Sequence, residues 1–180
     1  MRSLSLLAGA GLVALAGCVP APTVAPPAPA PRPLPAATPV APRPAPTLGA
    51  DWRDWPLTPG DWRYRAEPGG GSASFGVAGS MPVATLRCDL ATRRVTLARM
   101  GATATAATLT LRTTSAVRGV PAVPDARASG MIVVSFAAND SFLDAIGYSR
   151  GRFVVEGLGL PTLVIPAWPE ILRVVEDCRK

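Results

Sequence analysis

Residues 19–50 are built almost wholly from Ala, Pro, Val and Thr, with Arg32 and Arg43 as their only charges. Each proline removes a backbone donor and fixes φ, so the segment favours polyproline II and cannot pack a core. Fully extended at ~3.1 Å per residue, such a tether reaches roughly 100 Å as an upper limit. A cooperative fold is therefore confined to residues 51–180, about 130 residues, the usual size of one domain with one core. The tether reads as a passive linker or spacer that lifts this domain away from its attachment point.

The attachment point is legible at the other end of the tether. The chain opens M-R-S-L-S-L-L-A-G-A-G-L-V-A-L-A-G-C, with Arg2 as a minimal positive region and an apolar run over residues 4–16. That pattern predicts a secretory signal over residues 1–17, too short and too soon followed by prolines to span a bilayer. Leu15-Ala16-Gly17-Cys18 resembles the lipobox of bacterial lipoproteins. The resemblance implies cleavage before Cys18, a diacylglycerol thioether on its sulfur and palmitate-type acylation of the new N-terminus. Several acyl chains hold a protein durably where one holds it only marginally. Val19 stands where many inner-membrane lipoproteins carry aspartate, so the resemblance implies delivery to the outer membrane, facing the periplasm.

With Cys18 assigned to lipid, Cys88 and Cys178 remain. An exported compartment is oxidising, and two thiols in one small domain there pair. The sequence holds no histidine to activate a free thiol, so a structural disulfide is expected. Closing a loop of about 90 residues, it contributes on the order of 4 kcal/mol in the chain-entropy model.

Within residues 51–180, short alternating runs separated by Gly, Pro and Asp predict a mainly β fold. Strands are expected over 61–66, 72–77, 83–89, 94–99, 107–113, 116–122 and 131–136. In D-W-R-Y-R-A, alternation puts Trp62 and Tyr64 on one face. R-G-R-F-V-V-E and P-T-L-V-I-P form a further hairpin around G-L-G. S-F-L-D-A-I-G-Y reads as a short helix capped by Asn139 or Asp140. A last helix starts near Pro169, a residue suited to the first helical position. Its expected apolar stripe is Ile171, Leu172, Val175 and Cys178. The fold class is thus an antiparallel sandwich or partly open barrel with two short helices, the C-terminal one linked by disulfide to the sheet.

The start D-W-R-D-W-P-L-T-P-G-D-W-R-Y, the central L-R-C-D and the ending from A-N-D-S-F-L-D-A to E-D-C-R resemble uncharacterised alphaproteobacterial exported proteins. That resemblance implies a family fold and carries no activity. The order L-D-A, two strands, helix and Cys is similar in layout to invasion-associated locus B proteins.

Composition excludes several chemistries. The lack of histidine removes the commonest general base and metal ligand, and Lys180, the sole lysine, is the last residue. No phosphate-binding glycine motif is present, and G-G-G-S at residues 69–72 reads as a loop. The net charge of +6 is carried by scattered arginines without interleaved aromatics, so no nucleic-acid partner is expected. No cofactor and no metal are expected.

Two candidate binding features remain. Trp52, Trp55, Arg53 and Arg63 would suit a sugar or peptide, since indole faces stack and guanidinium reads anions; alternatively Trp55 and Trp62 cap the open end of the fold. In S-R-G-R-F, Arg150 and Arg152 flank Gly151 and would suit an anion; alternatively a helix ends there on a left-handed glycine with both arginines near its carbonyls. The expected function is a lipid-anchored, non-catalytic interaction or structural role towards an envelope protein or cell-wall polymer. Two alternatives stay open. G-S-A-S-F-G (71–76) resembles the inhibitory loop of periplasmic lysozyme-inhibitor lipoproteins, and Asp51, Asp54 and Asp61 would serve a carboxylate-based glycan hydrolase.

Overall fold

A computed structural model describes residues 48–180; the expected signal peptide, Cys18 and most of the tether lie outside the described residues. A 3-10 turn at Trp52–Asp54 precedes strand β1 (Asp61–Arg65). Then come β2 (Ser72–Gly76), β3 (Ala84–Asp89), β4 (Arg94–Met100), β5 (Ala107–Arg112), β6 (Val117–Pro124) and β7 (Met131–Ala137). Helix α1 (Ser141–Gly147), β8 (Arg152–Glu156), β9 (Leu163–Pro166) and helix α2 (Pro169–Arg179) complete the order.

All nine described strands form one antiparallel sheet, in the order β1-β2-β3-β4-β7-β6-β5-β8-β9. The sheet curls into a half-barrel, so of the two expected architectures the barrel is the one formed. Alternation decides what faces inward: Ala84, Leu86 and Cys88 on β3, Val95 and Leu97 on β4, Leu109 and Leu111 on β5, Phe153 and Val155 on β8 are all buried. The sheet's free edges, β1 and β9, are linked by Trp62 on β1 and by Thr58 just before it. The Trp62 indole N–H donates to the Pro166 carbonyl at 2.8 Å, and Thr58 donates from its N–H to the Val164 carbonyl at 2.8 Å. The Thr58 hydroxyl accepts from the Val164 N–H at 3.0 Å. Edge groups that would otherwise template another chain are thereby satisfied.

Both helices sit at the end where β7 finishes and β8 begins. Asp140 caps α1, accepting from the Phe142 N–H at 2.9 Å and pairing with Arg118 at 2.8 Å. The inward residues of α2 are Ile171, Val174, Val175 and Cys178. Val174 stands in place of the expected Leu172, because Leu172 instead covers Gly147 of α1: a Cβ on Gly147 would lie 2.3 Å from its Cδ2. Cys88 and Cys178 are joined, with Cα atoms 5.4 Å apart, and both are buried.

The G-G-G-S run is not an idle loop. A Cβ on Gly70, whose φ is +124°, would meet the Cys88 carbonyl at 2.7 Å, and one on Gly71 would meet Asp177 Oδ2 at 2.3 Å. Two bare backbone positions thus let the end of α2 settle against β1 and β3. Above Gly71 the Tyr64 hydroxyl donates to Asp177 at 2.5 Å, and the Arg173 guanidinium stacks 3.9 Å over the Tyr64 ring. At the far end, alternation turns Arg99 inward, 2% exposed. It has no carboxylate partner among the described residues. Its guanidinium instead donates to the carbonyls of Pro161 at 2.7 Å and of Val155 and Met100 at 3.3 Å, tying down the β8–β9 turn.

These contacts set the pH response. The Tyr64 hydrogen bond and then the Lys180 contact hold the Asp177 carboxyl below its usual range, against a desolvation cost. Burial opposes ionisation of Asp140, but the Phe142 N–H and Arg118 outweigh it and its pKa is also lowered. A folded-state pKa below the unfolded one means the unfolded chain binds more protons, so stability rises with pH through that range. The contribution is complete above the ordinary Asp pKa of about 4 and is lost as acid is added below it. Tyr64 is shifted up, chiefly because it shares its proton with Asp177, so its contribution holds below about pH 10 and fades above. The urea midpoint is therefore expected to form a plateau from about pH 5 to 9. Asp140→Asn and Asp177→Asn should flatten its acid limb; an unchanged limb in both variants would show that other groups control acid unfolding.

Candidate functional site

The two features singled out in the sequence come together at one rim of the barrel. The Arg152 guanidinium donates to the carbonyl of Trp55, and Arg152 lies opposite Pro166 in the β8–β9 pair. The Trp55 indole N–H reaches back to the Gly49 carbonyl at 2.6 Å, fixing where the chain enters. Asp51 caps the 3-10 turn by accepting from the Arg53 N–H at 2.9 Å. Arg53 pairs with the same carboxylate at 3.4 Å and places its guanidinium 5.1 Å from the Trp52 ring centre. Trp52 and Trp55 are half-buried; neighbouring Leu57 is exposed.

Gly151 is left-handed, with φ +77°, as expected. However, α1 has already ended at Gly147 with Tyr148 as its C-cap, so the glycine does not terminate it. Neither arginine serves the helix carbonyls. Arg152 is engaged by Trp55, whereas Arg150 donates its backbone N–H to the Thr114 hydroxyl at 3.2 Å and leaves its side chain exposed. Ser149 ties the same turn together: it accepts from the Thr114 N–H at 3.1 Å and donates to the Arg152 carbonyl at 2.5 Å. S-R-G-R is therefore a braced corner rather than an open anion cradle.

The structure adds two residues that the sequence reading passed over. Trp168 is the N-cap of α2, directly beyond Pro166 and Ala167, and its side chain makes no capping bond. It is 40% exposed, and Tyr148 is 70% exposed. The available signal was local: a tryptophan occupies a position where Ser, Thr, Asp or Asn would contribute about 1 kcal/mol by capping.

Other candidates fare differently. Asp51, Asp54 and Asp61 are exposed, and Asp51 is occupied as a cap. Residues 71–76, compared above with an inhibitory loop, contribute the inner strand β2, buried at Ser72, Ala73, Phe75 and Gly76, so they are not displayed to a partner. A groove of about 610 Å³ lies on the opposite wall, between the outer face of β3-β4-β7 and the β6–β7 loop. Its arginines are already engaged: Arg127 with Asp89 at 3.2 Å, Arg87 with Glu67 at 2.9 Å, and Arg94 with the Ser135 hydroxyl at 2.7 Å. Among the described residues no three carboxylate, thiolate or imidazole groups converge as a metal site, and no helix is long and apolar enough to cross a membrane.

Neither a family model, nor a curated protein, nor a solved structure matches the chain. The rim's chemistry is that of its own side chains. It offers indole and phenol rings with polar tips, a few guanidinium groups and no nucleophile paired with a base.

Proposed function

We propose that the chain is a lipid-anchored protein of the cell envelope, held through Cys18 at the outer membrane, with a non-catalytic interaction or structural role in the periplasm. The observation that carries this reading is the buried Cys88–Cys178 cross-link. Such a bond persists in oxidising, exported compartments and is rare where thiols are kept reduced. It agrees with the secretory pattern and the Leu15-Ala16-Gly17-Cys18 motif at the start of the chain.

The non-catalytic part rests on how the reactive side-chain types are used. The sequence has no histidine, and its one lysine, Lys180, pairs with Asp177 at 3.0 Å. The Tyr64 pKa is raised, away from the range in which a phenol works as a base at neutral pH. Arg118 and a helix cap engage Asp140.

Fractionation of cells tests the anchor. The native chain is expected in the membrane pellet, resistant to salt and released by detergent. Cys18→Ala is expected in the soluble periplasmic fraction, because the acyl chains supply the durable membrane affinity. Retention of Cys18→Ala in a salt-resistant, detergent-released form would overturn the acyl anchor.

A further inference from the structure

We propose that the rim formed by the 3-10 turn, the Tyr148–Arg152 corner and the start of α2 docks onto the bilayer interface to which Cys18 is attached. This rests on the anchored reading above and names the surface that faces the membrane.

Three observations converge on that occupant. The first is chemical. Tyr148 and Trp168 are the described aromatic side chains most open to solvent, and both fall at this rim with Leu57, 44% exposed. Trp and Tyr gather at membrane–water interfaces because the ring body is apolar and its tip is polar. The second is local consistency. Trp168 occupies an N-cap without capping it and is 40% exposed, a local departure of the kind found at functional surfaces. The third is placement. The tether joins the domain at this same rim, where the Gly49 carbonyl holds the Trp55 indole and Arg152 holds the Trp55 carbonyl.

The tether also fixes the affinity that docking requires. The chain from Cys18 to Leu48 spans 30 residue steps (48 − 18). Whatever its conformation, it keeps the rim within roughly 100 Å of the acylated residue. Confinement to that distance makes docking intramolecular, with an effective concentration in the millimolar range. Weak partitioning by two or three rings is then sufficient. Exposed Arg150 adds a contact for lipid phosphate. Arg53 adds little, since Asp51 neutralises it.

The test uses the unacylated chain of residues 18–180 carrying Cys18→Ala, which keeps every described element. It is sedimented with vesicles of equimolar phosphatidylethanolamine and phosphatidylglycerol. Binding is expected to be weak but measurable, and to fall roughly tenfold in Tyr148→Ser/Trp168→Ser, since it scales with the apolar area inserted. Arg94→Ala, on the opposite wall, should leave it unchanged. Both rim side chains are exposed and the serine introduced at the N-cap can cap α2, so the urea midpoint of the double variant should not fall below the parental one, which separates docking from folding. In the parent, brominated lipid should quench tryptophan fluorescence, and Trp168→Phe should remove most of the quenched fraction. Absence of vesicle binding, or equal binding by the double variant, overturns the proposal. So does binding of the rim to peptidoglycan sacculi, or its self-association, without binding to vesicles. Because the acyl chains are absent, this result stands apart from the fractionation of Cys18→Ala.

Discussion

Cys178→Ser is expected to destabilise the domain by roughly 4 kcal/mol, the loop-closure value for a cross-link between residues this far apart. For a domain of about 130 residues, that corresponds to a fall in Tm on the order of 15 °C. The bond joins partners 90 residues apart in sequence, and it is the link between α2 and β3 nearest the C-terminus. Without it, α2 remains held by burial of Ile171, Val174 and Val175 and by the Tyr64–Asp177 hydrogen bond. Freed α2 would be the first element to open, uncovering Cys88, Leu86 and the Gly70–Gly71 platform. Hydrogen exchange should therefore accelerate in residues 169–179 before it does in β4 and β7. The native chain in strong reductant should reproduce the loss seen in the variant. An unreduced protein with two free thiols, or a urea midpoint insensitive to reductant, would show that the pair does not stabilise the fold.

That cross-link also shows which parts of the fold were legible in the sequence. Cys88 alternates with Leu86 and Ala84, and Cys178 falls one helical turn beyond Val174 and Val175, so each cysteine lies on the inward face of its own element. Periodicity is a local signal, and it also located β5 and β7 to within a residue or so of the observed ends. Sheet order is not local. The β5–β6 hairpin is inserted between β7 and β8, so β4 pairs with β7 across 31 residues from Met100 to Met131. No spacing in the chain announces that. The interior face of α2 differs from the expected stripe at one of its four residues for a related reason: whether Leu172 or Val174 turns inward depends on Gly147, which lies on another helix.

The candidate site divides in the same way. Trp52, Arg53, Trp55, Arg150 and Arg152 stood out singly because aromatic and guanidinium groups are conspicuous near turn residues. That Arg152 reaches the Trp55 carbonyl is a tertiary fact, made possible when Thr58 and Trp62 fasten the two sheet edges together. The same closure carries Trp168 to the rim. The sequence offers Trp52 and Trp55 as stacking surface and Trp55 and Trp62 as caps, and gives Trp168 neither role. The fold distributes the roles instead, burying Trp62 and leaving Trp168 open.

Trp62→Ala should be about as damaging as loss of the disulfide, at ~4 kcal/mol. The side chain is 5% exposed, its ring lies 5.3 Å from that of Phe75 between centroids, and its N–H satisfies the Pro166 carbonyl. Truncation leaves a cavity and removes a tie between edges β1 and β9. Trp62→Phe separates the two effects. The smaller ring retains most of the packing, so its deficit of about 1–2 kcal/mol reports chiefly the lost hydrogen bond and the unsatisfied carbonyl. In the other copy of Asp-Trp-Arg, Trp52→Ala should cost under about 1 kcal/mol, because a half-exposed ring with a surface cation–π contact contributes little. Urea denaturation of the three variants under oxidising conditions supplies all three numbers. Equal losses for Trp52→Ala and Trp62→Ala would mean that the first Asp-Trp-Arg is as structural as the second, and would remove Trp52 from any surface offered to a partner.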